Sequence, residues 1–258
     1  MSSNIKELTS FANYLADESE KIISKYFRKN LEIETKDDES PVTIADKKVE
    51  LLIRELIQEH YPEHGILGEE FDQTNIESEY IWVIDPIDGT RSFIAGHKDF
   101  GTLIALVYKN KPIVGIINCP MHKERWVGIV NKETKMNNKV VKTSNTTLIN
   151  ESYFCTSGLY LEDDHFKKSC DKIINKSKYY RLGGDCYMYG MIASGLIDIV
   201  LEDTLKTHDY MALIPVIEGA GGVVTDKYGS PVTINSDGSI LASANKSLHN
   251  QIIDIINN

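Results

Sequence analysis

Four apolar residues, Ile81-Trp82-Val83-Ile84, run directly into Asp85-Pro86-Ile87-Asp88-Gly89-Thr90, and no other stretch limits the possible folds so strongly. An uninterrupted apolar run of this length reads as a strand buried on both faces, which requires cover on both sides. The strand then ends on two carboxylates. Pro86 and Gly89 enforce a tight turn around them. Carboxylates at a strand end, beside main-chain carbonyls, suit a hard cation that takes oxygen ligands. Gly89 and Thr90 open the next element and offer backbone N–H groups to an anion. Alone, Asp85 and Asp88 could equally cap a turn or a helix.

One superficially similar signature is excluded. Asp-x-Asp-Gly-Thr phosphatases use the first Asp as a nucleophile, and here that position, two before Asp88, is Pro86. Any hydrolysis at this turn therefore has to use an activated water.

The rest of the chain supplies the cover. Apolar positions between residues 4 and 27 (Ile5, Leu8, Phe11, Ala12, Leu15, Ile22, Ile23, Phe27) follow one face of a helix. Asn30 to Ser40 turns polar and reads as a loop. A second helix should start after Thr43, an N-cap with Asp46 at the third helical position, and end before Pro62. Short strands are expected at Gly65–Leu67, Tyr80–Ile84, Gly101–Tyr108, Ile113–Asn118 and Arg125–Val130, with a hairpin turn over Lys109–Pro112. From Tyr153 onward strands and helices alternate: strands at Tyr153–Thr156, Tyr179–Leu182, Ile197–Leu201, Val223–Thr225 and Ile240–Ala244, and helices near Asp164–Asn175, from Cys186, from Asp209 to Ala220 and at the end. The class is α/β, or α+β, with the polar stretch Asn131–Asn150 as the expected boundary between lobes 1–145 and 146–258.

Composition narrows the function classes. A net charge of −10 over 258 residues argues against a nucleic-acid backbone binder. An anionic small substrate stays possible, because a bound cation inverts the local field. No apolar run is long enough for a membrane span, and the N-terminus lacks a signal-peptide pattern, so a cytoplasmic protein is expected. Cys119, Cys155, Cys170 and Cys186 lack zinc-site spacing and read as reduced, buried thiols.

Two further acidic motifs stand apart from the first. Gly68-Glu69-Glu70 follows a short apolar run, and His208-Asp209 precedes Ala220-Gly221-Gly222. Separately they read as a surface turn and a helix N-cap. Taken with Trp82–Thr90, the three motifs in this order resemble the inositol monophosphatase superfamily over nearly the whole chain. That resemblance implies a layered αβαβα sandwich, usually homodimeric, and a Mg²⁺-dependent hydrolysis of small phosphate monoesters by a metal-activated water. It assigns Glu69, Asp85 and the carbonyl of Ile87 to one cation, and Asp85, Asp88 and Asp209 to a second, with Glu70 beside a third. Thr90 and Glu69 would hold the attacking water, and Asp46 would orient the Thr90 hydroxyl. Asp46 also keeps its competing reading as part of a helix cap.

Within the superfamily, Thr90–Gly96, Phe100–Leu106, Glu124–Gly128 and Gly183–Tyr189 resemble the bacterial histidinol-phosphatase branch. Asp88, Gly89, Thr90, Asp185, Glu202 and Asp209 are the substrate-side positions this implies. Two carboxylates, Asp185 and Glu202, would complement the cationic leaving group of L-histidinol phosphate better than an uncharged polyol. Alternatives are an inositol-1-monophosphatase, a promiscuous sugar-phosphate phosphatase, or a phosphatase-like regulatory binding protein. One departure is notable. The superfamily's Trp-Asp is His208-Asp209 here, which leaves His208 either touching substrate or packed in the interior.

Overall fold

A computed structural model describes residues 2–30, 33–35, 41–157 and 164–257. A seven-stranded sheet runs in chain order through Gly65–Gly68, Tyr80–Asp88, Gly101–Tyr108, Lys111–Cys119, Glu124–Ile129, Lys135–Met136 and Lys139–Val140. A five-stranded sheet orders Tyr179–Leu182, Tyr153–Thr156, Ile199–Glu202, Ile240–Ser243 and Val223–Thr225.

The side-chain alternation of the strands builds the layers. On Gly101–Tyr108, Ile104 and Leu106 face the helices Ser2–Tyr26 and Ile44–His60, whose Leu15, Ala16, Val49 and Ile53 are fully buried. Leu103, Ala105 and Val107 face the other way, onto Ile192 of the helix Asp185–Ala193 and Val216 and Ile217 of the helix Leu213–Gly219. Those helices meet Cys155, Val200 and Ala242 of the second sheet, whose far face (Phe154, Ile199, Leu201, Leu241) packs on the helices Asp164–Lys176 and Lys246–Ile256. The result is five layers, αβαβα. Both sheets are covered on both faces, which is why their inner strands read as continuous apolar runs.

Several local expectations need correction. Within the expected 30–40 loop, Ile33–Thr35 forms a strand antiparallel to Pro41–Thr43, while residues 31–32 and 36–40 lie outside the described region. The expected helix from Asp209 to Ala220 is two short helices, Thr207–Tyr210 and Leu213–Gly219. The Asn131–Asn150 stretch, expected only as a boundary between lobes, carries two strands of the first sheet, and Thr134 Oγ1 donates to the Val216 carbonyl at 2.6 Å. All four cysteines are free and buried. No described helix is long and apolar enough to cross a membrane.

Candidate metal centre

Strand pairing brings the first two acidic motifs together. Gly65–Gly68 lies parallel to Tyr80–Asp88, with Gly68 opposite Ile84. The residues that follow, Glu69 and Asp85, therefore emerge at the same end of the sheet. Asp85 and Asp88 are three residues apart, an odd spacing that would send them to opposite faces of a regular strand. A bulge corrects this. Asp85 pairs with Leu103 and Asp88 with Gly101, so one extra residue is absorbed between them. The Thr102 hydroxyl donates to the Pro86 carbonyl at 2.9 Å and satisfies the backbone the bulge disturbs.

Gly89 follows in the left-handed region (φ 84°) and caps the helix Thr90–Ala95. A side chain there would be strained, and its Cβ would meet Asp185 Cγ at 2.6 Å. The Thr90 hydroxyl lies 3.1 Å from the Ile87 carbonyl and 3.3 Å from Asp46 Oδ1. Asp46 meanwhile caps its own helix, its Oδ2 accepting from Thr43 N–H at 2.9 Å and the Thr43 hydroxyl at 2.5 Å. The two readings of Asp46 do not compete, because each uses a different oxygen.

Asp209 and Asp88 are held from the second half of the chain. Asp209 Oδ2 accepts from Lys206 N–H at 2.7 Å, which makes Asp209 the third residue of its short helix and not the N-cap. Asp88 Oδ2 accepts from Cys186 N–H at 2.5 Å, in the first turn of Asp185–Ala193. Among the described residues, two groups bring ligand atoms within 4.8 Å of one another: Asp85, Asp88 and Asp209, and Glu69, Asp85 and His208. Glu70 stands outside both.

The electrostatics fit a cation. Burial, then the charges of Glu69, Asp88 and Asp209, push the Asp85 carboxyl well above the usual range. Burial, then Asp209 and Asp185, do the same to Asp88. Asp209 is raised by burial as well, with His208 opposing. Asp85 Oδ1 is buried and has no hydrogen-bond partner. A buried polar atom left unpaired costs about 1–3 kcal/mol, so an all-oxygen cage with one unpaired oxygen is matched to a hard divalent ion.

A cavity of about 640 Å³ opens beside this cage, lined by Glu69, Asp88, Thr90, Asp185, Glu202 and Asp209 among others. Asp185 is the first residue of its helix, after the cap Gly184, and holds φ 43°. Its Oδ2 accepts from Ser92 Oγ at 2.5 Å, while burial raises its carboxyl. Glu202 is buried at its strand end, accepts from Tyr189 OH at 2.5 Å, and is also raised by burial.

Sequence reasoning missed Glu50. It is fully buried, and Oε2 accepts from Glu70 N–H at 2.7 Å while Oε1 accepts from Phe71 N–H at 3.3 Å. Arg54 Nε donates to it at 2.8 Å, and Arg54 Nη2 donates to the Phe71 carbonyl at 2.9 Å. The pair thus anchors the turn that carries Glu69. A Cβ on Gly68 would overlap the Glu50 carboxylate, which explains the glycine. The available signal was position: Glu50 lies beside Val49 and Ile53, on the stripe that faces the sheet.

Comparison with known proteins gives the family. The sequence model of the inositol monophosphatase family matches residues 4–258. A bifunctional phosphatase of Arabidopsis thaliana (IMPL2, chloroplastic) is 42% identical over 260 residues, covering 96% of this chain and 75% of the relative. A histidinol-phosphatase of Chlorobaculum parvum is 35% identical over 246 residues, covering 95% of this chain and 94% of the relative. The solved structure of an inositol monophosphatase from Zymomonas mobilis matches with a TM-score of 0.89 and 39% identity, over 98% of each chain. With the whole chain matched and the acidic motifs gathered at one sheet end, this protein belongs to the inositol monophosphatase family.

Proposed function

We propose that the chain hydrolyses L-histidinol phosphate to L-histidinol and phosphate, with Mg²⁺ held by Glu69, Asp85, the Ile87 carbonyl, Asp88 and Asp209. The family is metal-dependent, and the donors present here are oxygens apart from His208. A divalent ion held by these residues would supply charge stabilisation to the phosphoryl oxygens and make a water more acidic.

The protein's own groups do the positioning. Thr90 has one hydroxyl proton, and with the Ile87 carbonyl and Asp46 Oδ1 as its acceptors, its lone pairs stay available to a water. Glu69 would hold that water together with Thr90. Gly89, Thr90 and Arg91 line the cavity where the phosphoryl group would sit. The leaving alcohol then points toward Asp185 and Glu202. The same reading takes a homodimer as the assembly, the cytoplasm as the compartment, and lobes 1–145 and 146–258 as the two halves.

The observation that carries the choice of ester is the carboxylate wall. Asp185 and Glu202 line the same cavity as the cage, and they accept hydrogen bonds from the hydroxyls of Ser92 and Tyr189. A leaving group with an amine and an imidazole would gain charge-assisted hydrogen bonds from both, and a polyol would gain less. The likeness to an inositol monophosphatase structure supports inositol 1-phosphate as the second reading. Steady-state kinetics on the two esters at fixed Mg²⁺ separates them. A higher kcat/KM for histidinol phosphate is expected, and a preference for inositol 1-phosphate would overturn the assignment.

A further inference from the structure

The family pattern surrounds the first cation with oxygens from Glu69, Asp85 and Ile87. This chain brings a nitrogen to the same place. Ligand atoms of Glu69, Asp85 and His208 lie within 4.8 Å of one another, and His208 is 8% exposed. The short helix that carries it is fixed on both sides: Thr207 Oγ1 donates to the Ile234 carbonyl at 3.1 Å, and Tyr210 OH donates to the Thr233 carbonyl at 3.1 Å. Its contact with its neighbour is a long one: His208 Nε2 lies 3.4 Å from Asp209 Oδ1, an ion-pair distance beyond the usual N–H···O range. Asp85, common to both ligand groups, supplies an independent sign of a missing ligand in its buried, unpartnered Oδ1.

We infer that His208 is a ligand of the cation held by Glu69 and Asp85, which makes this a mixed carboxylate–imidazole site favouring ions that accept nitrogen, such as Co²⁺ or Zn²⁺, more than an all-oxygen cage would. The inference rests on the reading of the acidic cluster as a metal centre. Imidazole adds little for Mg²⁺, which prefers oxygen donors in octahedral array and keeps several waters, but it strengthens binding of the later divalent ions. A substitution from the indole of the family pattern to an imidazole would therefore change which ion the site selects while leaving the carboxylates in place.

Co²⁺ and Mg²⁺ titrations of the whole chain by calorimetry, with proton NMR of the Co²⁺ form, test this. A paramagnetically shifted imidazole N–H signal is expected in the unaltered protein and should vanish in His208→Phe. In that variant Co²⁺ affinity should fall at least about tenfold, the loss that even a group behind a ligand can cause, with Mg²⁺ affinity unchanged. The NMR measurement on the unaltered protein needs no variant to fold. Co²⁺ bound without a shifted imidazole overturns the inference and leaves the acidic cage standing. An equal loss of Co²⁺ and Mg²⁺ affinity in His208→Phe also overturns it, by making the ring a packing group. If neither ion binds, the cage reading itself fails.

Discussion

Two buried acidic sites meet at the turn that carries Glu69 and Glu70, and they are built on opposite plans. Glu50 has its countercharge supplied internally, by Arg54, and its oxygens also take the N–H groups of Glu70 and Phe71. Among the described residues no arginine or lysine forms an ion pair with the cage of Asp85, Asp88 and Asp209, and burial, then the carboxyls' own charges, push Asp85 and Asp88 upward in pKa. A buried charge that is paired and fully hydrogen-bonded serves structure, whereas one left uncompensated marks a place for a ligand. The first site holds the loop that the second one uses.

The largest effect should come from breaking the uncompensated site. Asp88→Asn is expected to lower Mg²⁺-dependent phosphate release by on the order of 10³, the several kcal/mol that cation stabilisation of a phosphoryl transfer supplies. Retained turnover would remove the cage from the mechanism. Arg54→Met tests the other plan. It strands Glu50 in the interior and should cost about 3–5 kcal/mol in urea unfolding, with a loss near zero showing that Glu50 is not dependent on its partner.

A third buried polar site, satisfied by hydroxyls instead of charge, extends the comparison. His249 meets Thr225 Oγ1 at 2.9 Å and Ser243 Oγ at 3.2 Å, and burial lowers its pKa from 6.5 to about 4. Because the folded state disfavours the protonated ring, its contribution is complete above pH 6.5 and is lost as pH falls from there through about 4. That window should cost roughly 3 kcal/mol, and unfolding measured against pH should flatten in His249→Gln.

Cation addition should separate the two acidic sites directly. Mg²⁺ at about 100 times its Kd should add about 2.7 kcal/mol, a rise of about 5–10 °C in Tm for a chain of this size. In Asp85→Asn that rise should disappear, while the cation-free Tm stays level or increases because a buried like charge is gone. A large drop in the cation-free Tm would instead make Asp85 a structural residue like Glu50. The smallest effect is expected at the cavity wall. Asp185→Ala should lower kcat/KM for histidinol phosphate roughly tenfold, the worth of one charged hydrogen bond, and leave a neutral ester nearly untouched.

Local chemistry was readable in advance, and long-range geometry was not. Thr43 and Asp46 announced a cap, and Ile81–Ile84 a buried strand, because both depend on residues close in sequence. The bulge between Asp85 and Asp88 depends on pairing with Gly101 and Leu103, which no local pattern encodes. Glu50 and Arg54 drew no reading from the sequence, since helical spacing alone does not say which side of a charged pair meets a sheet. The break between Tyr210 and Leu213 had no glycine to announce it. His208 and Asp209 could be read as adjacent, but their approach to Glu69 required the fold.

The hydrogen bond from Cys186 N–H to Asp88 spans 98 residues of chain. It gives the site a place in time. During synthesis, Asp88 emerges long before the helix end that holds it, and Asp209 later still. Contacts this distant in sequence close only after their loops have been drawn in. The cage is therefore finished only when both sheets have docked on the helices between them, and a cation that binds it rewards the completed chain alone.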